Sequence, residues 1–340
     1  MKSIFDLELK SLEEILLENG FKRYNATQIF EGIYKKRAKD FEEISNISKD
    51  LRKFLNENFT LDCLSIITKQ VSHDGTTKYL LRLKDGYSIE TVLMNQEYGK
   101  SLCVTTQVGC NMGCAFCASG LKKKVRSLEP SEMVEQILTV ENDLSLKITH
   151  VVVMGTGEPF DNYDNLMTFI KIINHGMSLE IGSRHITVST SGLIPRIYDY
   201  SKEGLQTNLA ISLHAPNDEI RNKLMPINKK YPINDLMKAV KDYFKETGRR
   251  VTFEYILIDE VNSKKEHALE LAKLIKGINA YVNLIPYNEV KEFGFKSISK
   301  TKSSEFYDIL KKNGINVTLR KEHGRDIDAA CGQLRLKNVD

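Results

Sequence analysis

The sequence predicts an α/β protein whose larger part is a partial (β/α) barrel of the TIM-like kind. A helical N-terminal region and a small antiparallel β connection precede it. Three observations carry this. From residue 100 onward, short apolar runs alternate with amphipathic stretches of helical period, as parallel strands joined by crossover helices require. Four strand candidates end in small polar residues, as expected where the carboxyl ends of barrel strands converge on one mouth. Residues 1–60 lack that alternation altogether.

In chain order, residues 1–60 read as helices. Leu12, Ile15 and Leu16, then Ile29 and Ile33, then Leu51, Phe54 and Leu55 recur at helical spacing. Lys35-Lys36-Arg37 is read there as a solvated face. Residues 61–98 change character: 64–68, 78–83 and 89–93 look like strands, with turn signals at Asp74-Gly75 and Asp85-Gly86. Residues 99–340 carry the alternation. Strand candidates are 102–107, 149–154, 185–190, 207–213, 250–258, 280–286 and 315–320. Helix candidates are 131–141, 165–174, 218–223, 233–247, 264–276 and 303–313. Ser131 is expected to cap the first of these helices and Gly277 to stop the fifth. A doubly wound open sheet is the competing layout. The polar strand ends, Gly155-Thr156-Gly157-Glu158-Pro159, Ser189-Thr190-Ser191-Gly192, Ser212-Leu213-His214 and Tyr287-Asn288, favour the barrel.

The 340 residues are 41% apolar and 28% charged, an ordinary globular composition that excludes disorder and collagen-like arrays as whole-chain readings. The net charge of +4 permits a nucleic-acid partner without demanding one. No run of 18 apolar residues exists, so no membrane span is expected. Acids throughout the first twenty residues argue against a signal peptide, and a cytoplasmic location is expected. The six cysteines then sit in a reducing compartment, where clustered spacing means metal or catalysis.

The sharpest signal is Cys110-Asn-Met-Gly-Cys114-Ala-Phe-Cys117, in a glycine-containing loop after a strand. A closed zinc site wants four ligands, and no fourth Cys or His lies nearby. Three thiolates suit a 4Fe–4S cluster with one iron left open. The bland alternative is three buried structural thiols.

The Cys-x3-Cys-x2-Cys loop, with an aromatic before its last Cys, resembles that of the radical S-adenosylmethionine superfamily. The segments 154–159, 189–192, 211–219 and 326–334 (Asp-Ile-Asp-Ala-Ala-Cys-Gly-Gln-Leu) together resemble the bacterial dual-specificity RNA methyltransferases that modify adenine C2. The resemblance extends through most of residues 20–335. It implies that Cys110, Cys114 and Cys117 hold one 4Fe–4S cluster per chain. It implies S-adenosylmethionine contacts at Gly157, Glu158, Ser189, Ser212, Leu213, His214 and Asn288. Cys331 matches the cysteine that is itself methylated, Cys103 the thiol that resolves the intermediate through a transient disulfide, and Glu90 the proton acceptor. Cys63 matches nothing and is expected to be a buried structural thiol. Thr156 and Glu289 stand where the family often has Met and Pro; both flank contacts without replacing them.

Adenine C2 is electron-poor and cannot attack a sulfonium. The resemblance implies a detour: one S-adenosylmethionine methylates Cys331, and a second yields a radical that activates that methyl group for addition to C2. Two molecules are thus consumed per methyl transferred. The implied substrates are 23S ribosomal RNA and transfer RNA. Flavodoxin or a similar one-electron donor is the implied reductant, and a monomer is expected. Lys122-Lys123-Lys124-Val125-Arg126, next to the cluster loop, is expected to touch RNA phosphates, and residues 1–60 to grip RNA structure. Two other functions compete. One is the C8-directed resistance methyltransferase, which tends to have Ala in place of Pro159; the other is a non-catalytic iron–sulfur RNA-binding module.

Overall fold

The computed structural model describes residues 1–62, 64–320 and 323–334. Cys63 lies outside them. At the N-terminus, β1 (Lys2–Ser3) precedes helices α1 (Leu9–Glu18), α2 (Tyr24–Phe30) and α3 (Lys49–Asn58). Next, β2 (Phe59–Thr60) pairs parallel with β1. The periodic leucines do what their spacing demands: Leu12, Leu16, Leu51 and Leu55 are all fully buried. Ser48 caps α3, its hydroxyl accepting from the Leu51 N–H.

Strands β3 (Ser65–Val71), β4 (Thr77–Arg82) and β5 (Ser88–Gln96) form an antiparallel meander, and β6 (Gly99–Cys103) pairs antiparallel with β5. After β6 come the short ribbon β7 (Gln107–Val108) with β8 (Arg126–Ser127), then α4 (Pro130–Leu144), β9 (His150–Val153) and α5 (Tyr163–Asn174). They are followed by β10 (Ile186–Thr190), α6 (Ile194–Ser201), β11 (Asn208–Ser212), α7 (Asp218–Leu224) and α8 (Ile233–Thr247). The chain continues through β12 (Val251–Leu257), α9 (Lys265–Ile275), β13 (Ala280–Pro286), α10 (Lys300–Lys312) and β14 (Asn316–Leu319).

Among the described residues one sheet of ten strands organises the molecule, in the order β14-β13-β12-β11-β10-β9-β6-β5-β4-β3. From β6 to β14 every neighbouring pair is parallel. The order never reverses, so crossovers of one hand carry all the connecting helices to the same face. A doubly wound sheet would reverse direction; this one curls as a partial barrel. The antiparallel strands extend that same sheet rather than forming one of their own.

Two local expectations need correction. Helix α4 starts at Pro130, one residue before Ser131, because the Glu129 N–H is received by the Glu132 carboxylate. The Ser131 N–H instead donates to Asp6 and docks the N-terminal segment. Helix α6 is absent from the sequence's helix candidates because Pro195 reads as a breaker, although proline is tolerated in a first helical turn.

Candidate active site

The cysteine loop is held between β7 and β8. Gly109 takes a positive φ of 78°, and a Cβ there would meet the Lys123 carbonyl oxygen at 2.2 Å. The Cys110 N–H donates to the Lys122 carbonyl and the Ala115 N–H to Leu224. All three cysteines line one open cavity at the carboxyl ends of the strands. Burial pushes the Cys110 thiol up to about 11 and raises Cys114 and Cys117 as well. Three cysteines on one loop facing one cavity are a donor set that fits an iron–sulfur cluster, whose irons would displace the thiol protons. Among the described residues no three His, Cys, Asp or Glu converge on a single metal ion. A cluster spreads its thiolates over separate irons and needs only that they face a shared cavity.

The same cavity is lined by Gly157, Glu158, Ser189, Ser212 and His214. Gly157 has φ of 110°, and a Cβ there would meet Gln107 at 2.7 Å, so the strand end can turn into the cavity only with glycine. The Glu158 carboxylate accepts from the Phe160 N–H at 3.0 Å and the Ser191 N–H at 2.7 Å. These bonds orient it, while burial raises its pKa. The Ser189 and Ser212 hydroxyls stand 3.4 Å apart.

His214 adopts a left-handed φ of 56°. Burial first, then the Arg221 charge, lower its pKa to about 3, so the ring is neutral. Its Nδ1 accepts from the Ile256 N–H at 3.1 Å, which puts the ring proton on Nε2 as a donor. Phe116 of the cysteine loop packs edge-on against this ring, with centroids 4.8 Å apart.

Leu213 departs from expectation. Its side chain is fully buried in the main core, its N–H donates to Glu254, and its carbonyl accepts from Arg221. Asn288 borders an adjoining cavity, where its Nδ2 donates to the Cys331 carbonyl at 3.5 Å. The buried Asn288 Oδ1 and Glu254 Oε2 have no hydrogen-bond partner among the described residues. Such orphaned acceptors fit a polar ligand with N–H or O–H groups, as S-adenosylmethionine has.

The adjoining cavity holds the cysteine pair. Cys103 and Cys331 both line it, and Cys331 also lines the cavity of the cysteine loop. Cys103 reaches it from β6, whose register sets it opposite Val92 on one side and Val152 on the other. The Cys331 segment closes over the strand ends: the Ala118 N–H donates to the Gly332 carbonyl and the Ser119 hydroxyl to the Leu334 carbonyl. Burial, then the neighbouring Cys331, push the Cys103 thiol up to about 12, with the Arg320 cation opposing. Both cysteines are free thiols, and no disulfide links them.

Glu90 lies on β5, where alternation puts Glu90, Val92 and Met94 on the cavity face and Ile89 and Leu93 in the core. The Glu90 carboxylate is buried and pairs with Lys78 at 3.2 Å. It stands one pleat beyond the residues that line the cavity.

Several residues here carried no sequence signal. Arg221 is fully buried and donates to the carbonyls of Ser191, Ser212 and Leu213 and to Asn228. It thereby ties the ends of β10 and β11 together beneath the cavity. Arg320, just past β14, lines both cavities. Nothing in spacing or composition separates these two from solvated arginines.

The basic runs divide. Lys35, Lys36 and Arg37 pair with Glu180, Glu31 and Glu141. Lys124 pairs with Asp161, and Arg126 with Asp85 and Glu132, so these two are neutralised within the protein. Lys122 and Lys123 remain exposed beside the cysteine loop.

Comparison with known proteins agrees with this geometry. Residues 104–272 match the radical SAM superfamily. Residues 2–61 match the ribosomal RNA large subunit methyltransferase N-terminal domain. The chain is 55% identical to the probable dual-specificity RNA methyltransferase RlmN of Spiroplasma citri, over 99% of this chain and 98% of that protein. It is also 55% identical to the protein of that name in Bacillus licheniformis, over 98% and 94%. Among solved structures, a radical SAM methyltransferase from Sphaerobacter thermophilus superposes with a TM-score of 0.94 at 43% identity, covering 99% of this chain and 100% of that one. Streptococcus suis SuiB, at 15% identity and a TM-score of 0.51 over 65% of this chain and 50% of that one, shares the fold alone. With a cysteine-loop barrel and a helical N-terminal region matched along the whole chain by relatives of one kind, this protein belongs to the RlmN dual-specificity RNA methyltransferase family of the radical SAM superfamily.

Proposed function

We propose that the chain methylates the C2 carbon of an adenosine in 23S ribosomal RNA and of an anticodon-loop adenosine in transfer RNAs. The methyl group travels on Cys331. The observation that carries this reading is that Cys331 borders two adjoining cavities, one lined by all three cysteines of the loop and the other by Cys117 and Cys103. A methyl carrier needs that placement: it must meet the donor on one side and release its product to a second thiol on the other.

Cys110, Cys114 and Cys117 would hold the cluster, and Gly157, Glu158, Ser189, Ser212, His214 and Asn288 would surround S-adenosylmethionine, with Leu213 contributing backbone support. When bound, these groups supply an electrophilic methyl and, after one-electron reduction by a flavodoxin-like donor, a radical that takes hydrogen. Cys331 accepts the methyl as a thioether and presents it to C2. Glu90 receives the proton displaced from C2, and the odd electron left by radical addition would return to the oxidised cluster. Cys103 then gives up its thiol proton and attacks the Cys331 sulfur. A sulfur–sulfur bond forms as the sulfur–carbon bond breaks, and the departing carbon takes up a proton to become the product methyl. An outside dithiol returns the pair to free thiols.

Residues 1–60 serve as an RNA-gripping accessory region, residues 61–98 as the β connection bearing Glu90, and residues 99–340 as the catalytic barrel. The protein acts as a cytoplasmic monomer; no helix among the described residues is long and apolar enough to cross a membrane. The test uses 23S ribosomal and transfer RNA from a strain lacking the endogenous enzyme. Treated with the reconstituted protein and digested to nucleosides, both should yield 2-methyladenosine by mass spectrometry against standards. The 8-methyl isomer, or unmodified adenosine in both RNAs, would overturn the proposal.

A further inference from the structure

The β3–β4 hairpin lies outside the parallel barrel, yet it holds the segment that carries Cys331. The Ser72 hydroxyl donates to Asp326, and the His73 N–H donates to the same carboxylate. The Asp74 carboxylate accepts from the Gly324 N–H at 3.0 Å. Further along β4, the Lys78 ammonium donates to the Asp328 carbonyl at 3.2 Å.

Lys78 differs from the other contacts. It sits opposite Val92 in the β4–β5 register and faces the cavity side of the sheet, while its neighbours Tyr79 and Leu81 are fully buried in the core. Its side chain is 8% exposed and that of Glu90 5%, with 3.2 Å between the charged atoms. One ammonium therefore touches both the carboxylate of Glu90 and the backbone of the Cys331 segment, three residues before the cysteine. A lysine kept this dry is seldom found without a partner that fixes it. Here it has two: the carboxylate of one residue that must act on the adenine carbon, and the backbone of the segment that carries the other.

We infer that Lys78 is a positioning residue for the reaction, bridging Glu90 and the Cys331 segment so that proton acceptor and methyl carrier keep one fixed separation. The inference rests on the roles proposed above for Glu90 and Cys331. It separates two stages of the cycle. Methylation of Cys331 does not involve Glu90, and the Cys331 segment has anchors besides Lys78, in its bonds to Ser72, Asp74, Ala118 and Ser119. That stage should survive. Transfer to RNA needs both residues in register and should fail.

The experiment uses the full chain with its cluster reconstituted, in wild-type, Lys78→Met, Lys78→Arg and Glu90→Gln forms. Two quantities are read: the methyl content of the Cys331 peptide after incubation with S-adenosylmethionine alone, and the rate of methyl transfer to unmodified transfer RNA. Lys78→Met should methylate Cys331 within about twofold of wild type and transfer to RNA at least about tenfold more slowly. Lys78→Arg, which keeps the charge and the donors, should regain most of the transfer rate. If the Met variant does not fold, Lys78→Gln decides by the same two readouts.

RNA transfer within twofold of wild type in Lys78→Met, with Glu90→Gln inactive, would overturn the bridge and leave the reading of Glu90 standing. Normal transfer by Glu90→Gln would overturn that reading and the bridge with it. Parallel loss of Cys331 methylation and RNA transfer in folded Lys78→Met would also overturn the bridge, since Lys78 would then merely hold the segment. So would an Arg variant no faster than the Met variant.

Discussion

Replacing Arg221 by methionine removes a cation that has no contact with water. Its guanidinium donates to the Ser191 carbonyl at 2.7 Å, to Asn228 at 2.9 Å, and to the Ser212 and Leu213 carbonyls at 3.2 Å each. Burial lowers its pKa to about 10, so it remains charged at neutral pH. Methionine fills most of the volume and donates nothing, leaving those acceptors dry and unpaired. Each such group costs about 1–3 kcal/mol. Partial relaxation brings the total nearer the 3–5 kcal/mol typical of breaking a buried charged network. Against a domain stability of about 5–15 kcal/mol, that is a large share. The strand ends it ties together bear Ser189 and Ser212, so ligand affinity should fall as well. Urea unfolding of the variant should show the stability loss, and calorimetry should show S-adenosylmethionine binding weakened at least about tenfold. Arg221→Lys should recover little, because a point charge cannot reach all these acceptors. A loss under about 1 kcal/mol with affinity within twofold of wild type would refute the keystone role assigned to Arg221.

Other outcomes follow from the same geometry. Cys114→Ala should leave the reconstituted protein without its iron and sulfide, measured by elemental analysis; unchanged content would remove Cys114 from the ligand set. Lys122→Ala and Lys123→Ala should each lower the salt dependence of RNA binding by about one unit of log–log slope. Lys124→Ala should not, because Lys124 is already paired with Asp161. Equal slopes for all three variants would contradict that division. Burial raises Glu135 to about 8, far above its ordinary carboxylate range. Between the ordinary and the raised value the folded chain holds a proton that the unfolded chain has lost. Stability therefore falls as pH climbs through that window. Glu135→Gln should remove the fall and gain on the order of 1–3 kcal/mol over wild type at pH 8, with the advantage shrinking toward pH 5. Unfolding curves at the two pH values check this.

Much of the fold was legible because alternation and turn chemistry are local. Ala280–Pro286 and Ile233–Thr247 fall where their patterns set them. The joining of the antiparallel strands to the barrel sheet was not legible, since edge pairing between β5 and β6 is a tertiary matter. The cysteine loop and the polar strand ends stood out because their chemistry is unusual at that spacing. Lys78, Arg221 and Arg320 did not. A buried cation looks like a surface cation until its acceptors are brought to it, and those acceptors are backbone carbonyls or distant carboxylates that no motif records. Leu213 shows the converse: it belongs to a recognisable motif, yet its side chain is spent in the core.

The central claim, that a methyl group passes through Cys331 and is released by Cys103, is tested most directly with Cys103→Ala. The variant should still bind its cluster and methylate Cys331. Lacking the second thiol, it should remain covalently joined to its RNA through Cys331, giving a slow band in a denaturing gel that ribonuclease removes. If Cys103 were only a small buried side chain on a core strand, alanine would cost some packing and trap nothing. A soluble Cys103→Ala protein that turns over normally without an adduct, or an adduct that survives when Cys331 is also changed to alanine, would contradict the account.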